Sequence, residues 1–429
     1  MTRSAPVDVT PSAKRLTGSL RDIGYDFVAA LADVIDNSVT AGATEVNVEI
    51  NFEGPGSYLL IADDGTGMTA AGLLEALRFG TRRDYDIGEL GRYGLGLKTA
   101  SLSQCRRLSV VTRRALRTRR LSAKSLDLDH IEAVDRWEVT DPPTDSRAFR
   151  SLEWLDHSPG TVVVWEHLDR VLPARRPEGG WARRRLENLA AQSSEYLGMV
   201  FHRFLEGTAD RDLPLTITVN GEKVRPWNPF APLEEHRDEL PAQSFEVAVG
   251  DLYGRVTLRR YVLPPRTLFS SVEEFERMSG PRKWNRQQGL YVYRCDRLIQ
   301  HGGWSGIRAL DEHTKLARAS LDFQTDLDSL FQINVAKMRV SLPPEVRTLV
   351  ERPVHELCHR ADRVYRQDRE TPQPTGDRSG TERGQGAAVP EIATALMAAA
   401  LEAGEHSAFT RIMERLRSTS PELADSLGW

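Results

Sequence analysis

The chain is 429 residues long, 40% apolar and 28% charged, with a net charge of −4. That length fits two or three domains, the composition is that of a folded globular protein in water, and the charge excludes a polycation coating nucleic acid over its whole surface. Cys105, Cys295 and Cys358 are widely spaced and form neither a CxxC pair nor a disulfide framework, the N-terminus holds no apolar leader, and no run approaches the ~18 apolar residues of a membrane span, so a reducing cytoplasm and no membrane are expected.

Residues 1–20 read as a polar arm. From about Asp22 the chain turns helical, with Phe27, Leu31, Val34 and Ile35 at helical spacing and Ala41-Gly42-Ala43 supplying a glycine stop. Glu45–Phe52 and Tyr58–Ala62, separated by Gly54-Pro55-Gly56, predict a β-hairpin whose second strand runs into Asp63-Asp64-Gly65-Thr66-Gly67-Met68. A short helix over Ala71–Phe79, a polar glycine-containing stretch Gly80–Gly96 and a helix carrying Leu97–Leu102 follow. Strands are expected at Arg107–Arg113, Arg119–Leu128 and Thr161–His167, then a long helical segment Arg185–Leu205. Leu215–Val219, Phe245–Val249, Arg255–Leu263, Gly289–Tyr293, Ala317–Asp322 and Met338–Val340 read as strands of a second α+β domain closed by a helix near Glu345–Arg366. Residues 367–388, rich in Pro, Gly, Thr and charge, predict a flexible linker, and the amphipathic pattern of 389–429 a small helical interaction module.

Four segments carry chemistry, and each also has an ordinary structural reading. On a helix, Asp33 and Asn37 share one face, so a carboxylate and an amide oxygen can orient a water and a cation together; the plain alternative is a solvated acidic face. At the end of an apolar strand, Asp63 can accept an amino hydrogen while Gly65 and Gly67 let the backbone turn tightly and approach a ring; the alternative is an Asp-Gly turn. Gly91-Arg92-Tyr93-Gly94-Leu95-Gly96-Leu97-Lys98-Thr99-Ala100-Ser101 leads glycines into a helix, an anion cradle to which Lys98 adds positive charge; the alternative is a surface loop. Leu97 separates Gly96 from Lys98 and no buried apolar strand precedes the segment, which excludes both the P-loop and the dinucleotide fingerprint. Thr161 can hydrogen-bond a water near a bound ring, or it and Val162–Val164 can simply build a strand.

In order and spacing, an acidic residue one helical turn before Asn, then DxGxG, then GxxGxG, then Gly-Thr before a strand is similar to the motif series of the GHKL ATPases (the gyrase, heat-shock chaperone, histidine kinase and MutL type). "ALADVIDNSVTAGA", "DDGTGMTAAGLLEALRFGTRRD" and "GRYGLGLKTAS" resemble most the microrchidia (MORC) branch and its bacterial relatives. "GLYVYRCDRLIQHGGW" and "INVAKMRV" resemble that branch's transducer-type domain. The resemblance implies an α+β fold: a GHKL (Bergerat) ATP-binding sandwich of mixed sheet and helices over 21–190, a transducer-like α+β domain over 191–366, and the helical C-terminal segment. It implies Mg-ATP binding and hydrolysis, with Asp33 at the general-base position and Lys337 reaching the γ-phosphate from the second domain. Asn37 falls at the Mg²⁺ ligand and Asp63 at the adenine-binding carboxylate. Gly65, Gly67, Met68 and Thr161 fall around the base, and Gly91, Tyr93, Gly94, Leu95, Gly96, Leu97, Lys98 and Thr99 around the phosphates.

Many relatives carry Glu where this chain has Asp33. Losing a methylene withdraws the carboxylate by about 1 Å, and misplacement of that order costs ~10²-fold in rate, so turnover is expected below about one per second. The resemblance also implies an ATP-dependent homodimeric clamp acting on DNA or a protein partner, and extends to bacterial defence or DNA maintenance. Duplex DNA would be held by arginine clusters at 106–120 (Arg106, Arg107, Arg113, Arg114, Arg117, Arg119, Arg120) and 175–185 (Arg175, Arg176, Arg183, Arg184, Arg185), and a protein partner by 389–429. A chaperone-like ATPase and a hydrolysis-deficient ATP-binding scaffold remain alternatives. A histidine kinase is disfavoured, because no phospho-acceptor histidine helix precedes the site.

Overall fold

The computed structural model of the chain describes residues 11–22, 24–80, 95–114, 121–155, 158–172, 175–250, 252–332 and 340–370. The chain divides into two compact units, 1–370 and 371–429. The second, which holds most of the expected linker and all of the expected C-terminal module, lies outside the described residues, as do Gly91, Tyr93, Gly94 and Lys337.

The first unit opens with α1 (Ala13–Arg21) and α2 (Phe27–Thr40), followed by the hairpin β1 (Glu45–Asn51) and β2 (Tyr58–Asp63). Next come α3 (Ala70–Leu77), α4 (Gly96–Leu102), β3 (Arg107–Arg113), β4 (Ser122–Asp127), α5 (Leu128–Val134), α6 (Arg147–Arg150) and β5 (Gly160–Glu166). A long helix α7 (Gly180–Val200), a short α8 (His202–Glu206), β6 (Thr216–Val219) and β7 (Glu222–Lys223) complete a seven-stranded sheet of order β4-β3-β5-β2-β1-β6-β7. All its neighbours pair antiparallel except β1 and β6. A second sheet of order β11-β10-β12-β9-β8 is built from β8 (Asp238–Val249), β9 (Leu252–Val262), β10 (Gly289–Arg294), β11 (Arg297–Gln300) and β12 (Ala317–Phe323). Helices α9 (Val272–Met278) and α10 (Lys283–Gln287) lie between β9 and β10 in the chain, and α11 (Pro344–Glu370) follows the last strand.

The apolar stripe of α2 is what seats it. Phe27, Ala30, Leu31, Val34 and Ile35 are buried in one core with Val46, Val48, Leu59, Ile61 and Trp165 from the sheet; at ~25 cal/mol per Å² such a stripe fixes a helix more firmly than propensity does. Phe27 meets Trp165 edge to face at 6.0 Å. The helix stops where expected: Gly42 takes φ +73°, and the Ala41 and Ala43 N–H groups donate to the Asn37 and Ser38 carbonyls. The opposite face of the sheet buries a smaller cluster around Tyr58, Leu60, Val111 and Val162.

Three expectations differ from what is found. The run at Thr216–Val219, assigned above to the second domain, pairs parallel with β1 in the first sheet, with Glu45 opposite Thr216. Short apolar alternation specifies a strand and a face, but not which sheet receives it. Residues 13–20 of the expected arm, together with Arg21, form a helix pinned to the domain that follows: the Arg21 Nε donates to the Leu102 carbonyl at 2.7 Å and its Nη2 to Asp169 at 2.5 Å. The closing helix runs on to Glu370, into the segment expected to be linker.

Candidate functional site

Beside α2, the end of β2 and the start of β5, two central strands of the first sheet, bring four of the expected residues (Asp63, Gly65, Met68 and Thr161) into one network. The Asp63 Oδ1 accepts the Gly65 N–H at 3.0 Å and the Thr161 N–H at 3.2 Å, and its Oδ2 accepts the Ser38 hydroxyl at 2.8 Å. The Thr161 hydroxyl lies 3.1 Å from that of Thr112, which donates to the Gly160 carbonyl and accepts the Met68 N–H at 2.8 Å. Ser38 and Thr112 had no expected role. Ser38 follows Asn37 directly, whereas Thr112 arrives only because β3 pairs with β5, with Thr112 opposite Thr161.

Asp63 and Asp64 are separated by chemistry although adjacent. Burial pushes the Asp63 carboxyl up to about 6, against its three hydrogen bonds. It therefore remains an ionised acceptor at pH 7, and among the described residues only Ser38 donates to its Oδ2. Asp64 is also penalised by burial, but bonds from the Thr44 hydroxyl and the Thr44 and Glu45 N–H groups hold it below the usual carboxylate range. Asp64 thus ties the start of β1, and Asp63 is the group available to a ligand.

The DxGxG glycines are demanded by close approach. A Cβ on Gly65 would stand 2.9 Å from the Ala41 Cβ, and one on Gly67, whose φ is +62°, would stand 1.9 Å from the Arg113 carbonyl oxygen. No side chain fits at either position without moving backbone.

One helical turn separates Asp33 from Asn37. Asn37 is exposed and its Nδ2 donates to the Asp33 carbonyl at 3.2 Å, which leaves the carboxamide oxygen for a hard cation. Asp33 is buried, and its Oδ2 accepts the Tyr25 hydroxyl at 3.1 Å. Burial, then the charge of Asp33, hold the Tyr25 phenol far above its ordinary value, so it is a donor throughout the physiological range. Sequence reasoning passed over Arg297 at the start of β11. Its Nη2 lies 3.4 Å from the Asp33 Oδ1, its Nε lies 3.1 Å from the Asp36 Oδ1, and all three side chains are buried.

Lys98 departs from expectation. Its Nζ is buried and donates to the Ala76 carbonyl at 2.9 Å, in the last turn of α3. Burial draws the amine down to about 8, opposed by Glu75. An open helix-end carbonyl attracts a cation, so the positive charge is directed to α3. Leu95, Gly96 and Leu97 are partly exposed at the start of α4, and Thr99 is buried within reach of the Tyr25 hydroxyl. The donor set present, a ligand-facing carboxylate, an exposed carboxamide oxygen and two sterically required glycines, fits an adenine nucleotide with Mg²⁺.

The arginine clusters separate likewise. Arg106 pairs with Asp129 and Glu132, Arg107 pairs with Asp127, its cross-strand partner, and Arg113 is buried. This part of the first cluster serves the fold, and Arg117, Arg119 and Arg120 lie outside the described residues. Arg175, Arg176, Arg183, Arg184 and Arg185 are exposed around the start of α7. A cavity on the second sheet holds Arg203, Arg237, Arg255 and Arg259, each paired with a carboxylate. Among the described residues no helix is long and apolar enough to cross a membrane.

Residues 25–160 match the family described as histidine kinase-, DNA gyrase B- and HSP90-like ATPase. ATPase morc-1 of Caenorhabditis elegans is 31% identical over 87 residues, covering 20% of this chain and 10% of that protein. Protein MICRORCHIDIA 5 of Arabidopsis thaliana is 35% identical over 82 residues, covering 18% of this chain and 12% of that protein. The chain thus spans about a tenth of the length of these curated relatives. Residues 25–160 thus match a GHKL-type ATPase domain and include stretches similar to microrchidia proteins, within an α+β fold.

Proposed function

We propose that the chain binds Mg·ATP between α2, the end of the central strand β2 and α4, hydrolyses it slowly, and uses the nucleotide to gate association of two copies. The observation that carries this reading is the Ser38–Asp63–Thr161 network, which holds one ionised carboxylate oxygen at the end of the central strand β2, beside Gly65 and Gly67. That carboxylate accepts the adenine amino hydrogens, and the glycine backbone lies against the ring. The Asn37 carboxamide oxygen would hold Mg²⁺, which would supply positive charge to the phosphates. Asp33 accepts the proton of the attacking water, and the glycines around 91–96 enclose the phosphates. Lys337 contacts the γ-phosphate.

Calorimetry with ADP and a non-hydrolysable ATP analogue tests the first step. Micromolar binding to the wild-type chain and its loss in Asp63→Asn are expected; no adenine nucleotide uptake by the wild type would remove the reading. Steady-state hydrolysis below about one turnover per second tests the second, against the ~10 s⁻¹ median of ordinary enzymes. Because both Asp33 oxygens already have partners, ATP binding without turnover is the second reading, and the same assay separates the two.

A further inference from the structure

We propose that Arg297 is a positioning residue for hydrolysis: it aims the Asp33 carboxylate from the second sheet and thereby makes turnover depend on how β11 sits against α2. This rests on the ATPase reading above.

The turn before Arg297 is held from several sides. Cys295 and Asp296 both have left-handed φ, 47° and 64°, between Arg294 and Arg297, which pair across β10 and β11. Positive φ at both central residues is the signature of a tight two-residue hairpin turn, normally filled by Asn or Gly; a cysteine there is strained and must be held by its surroundings. It is held. The Asp296 carboxylate accepts Arg203 at 2.9 Å through Oδ1 and the Asp210 N–H at 3.0 Å through Oδ2. Arg203 also bonds Asp322 on β12 and stacks on Tyr293. The start of β11, where Arg297 sits, is therefore tied through Asp296 to Arg203 of α8 and to the Asp210 N–H, and through Arg203 to β12.

Its guanidinium is equally constrained at the far end. Nε meets Asp36 at 3.1 Å, Nη2 meets Asp33 at 3.4 Å, and Nη1 donates to the Leu298 carbonyl at 3.2 Å. Asp33 and Asp36 sit three residues apart on one helical face, and two buried carboxylates so placed repel unless a cation lies between them. Asp36, the closer partner, anchors the guanidinium, and the remaining nitrogen reaches Asp33. The opposite oxygen of Asp33 is fixed by Tyr25. The carboxylate is thus aimed by one group from its own domain and one from the second sheet. If β11 shifts against α2, the planar fork lets go of one carboxylate or the other, and the base loses its aim.

The test uses the full chain and reads hydrolysis and binding separately. For Arg297→Ala we expect kcat to fall at least tenfold while the Kd for a non-hydrolysable ATP analogue changes less than threefold. Removing a buried partner from two carboxylates can unfold the chain, so Arg297→Lys is measured beside it. Lysine keeps the charge but has no fork to span two carboxylates, so a folded Arg297→Lys chain with normal Kd and reduced kcat supports the proposal. Wild-type kcat in either folded variant overturns it, and so does an increased kcat, which would make Arg297 a restraint. Equal loss of binding and turnover overturns it too, since that marks a structural role. A wild-type chain that binds no nucleotide removes the ATPase reading and this proposal together; a wild-type chain that turns over while folded variants match it removes this proposal alone.

Discussion

At Asp63, two functions of one carboxyl pull in opposite directions. The folded group titrates near 6, above 3.8 for the free side chain. Between about pH 4 and 6 the folded chain therefore holds a proton that the unfolded chain has released, and this group's contribution to stability falls as pH rises through that window. Ligand binding follows the other sign, because accepting an adenine amino hydrogen needs the ionised form. ADP affinity should fall about tenfold from pH 7 to pH 5 in calorimetry. Asp63→Asn should bind weakly at both values and gain stability relative to wild type between pH 4 and 7 in urea titrations; parallel pH curves for the two chains would dissociate Asp63 from either effect. Asp33→Asn should keep nucleotide binding and lose ~10²–10⁴-fold in hydrolysis, read by phosphate release. Unchanged hydrolysis would show that another group takes the proton.

Among the elements, the turn after β2 is the least forgiving. Gly67 combines φ +62° with an Arg113 carbonyl 1.9 Å from where a Cβ would sit. The φ alone costs an alanine about 1–3 kcal/mol, and the clash must in addition displace β3. Gly67→Ala should lower the melting temperature and weaken ADP binding together, whereas Gly96→Ala, with open space at its Cβ, should leave the fold intact. A Gly67→Ala chain as stable as wild type would mean the turn relaxes freely. The hairpin, α2, its glycine stop and α3 could all be read from the sequence, because each is local: a period, a turn residue, a cap. Helix α1 could not, since what fixes it is Arg21 reaching the Leu102 carbonyl, a contact made only after folding.

For the molecule as a whole, the testable consequence is linkage. If nucleotide favours the associated form, a non-hydrolysable ATP analogue should double the apparent mass in gel filtration at micromolar protein; an unchanged mass in saturating analogue argues against the clamp. The exposed Arg175–Arg185 group is one part of the described arginine surface suited to a phosphate backbone. If it is used, duplex binding should fall steeply between 50 and 200 mM salt, and replacing Arg183, Arg184 and Arg185 with alanine should flatten that slope. A salt-independent association would assign it elsewhere.

Read by itself, the sequence places Asp33 and Asn37 one helical turn apart and Asp63 ahead of two turn glycines, because each motif is local; the nucleotide reading rests on the resemblance of their order to a known motif series. Tertiary structure decided which of those groups are free to act. It turned Lys98 onto the end of α3, committed Arg106 and Arg107 to carboxylates and gave β6 to the first sheet. It also carried Arg297 across 264 positions of chain to Asp33. Pairs within one helix, such as Arg366 with Asp362, follow a local pattern, but partner choice between elements is a property of packing.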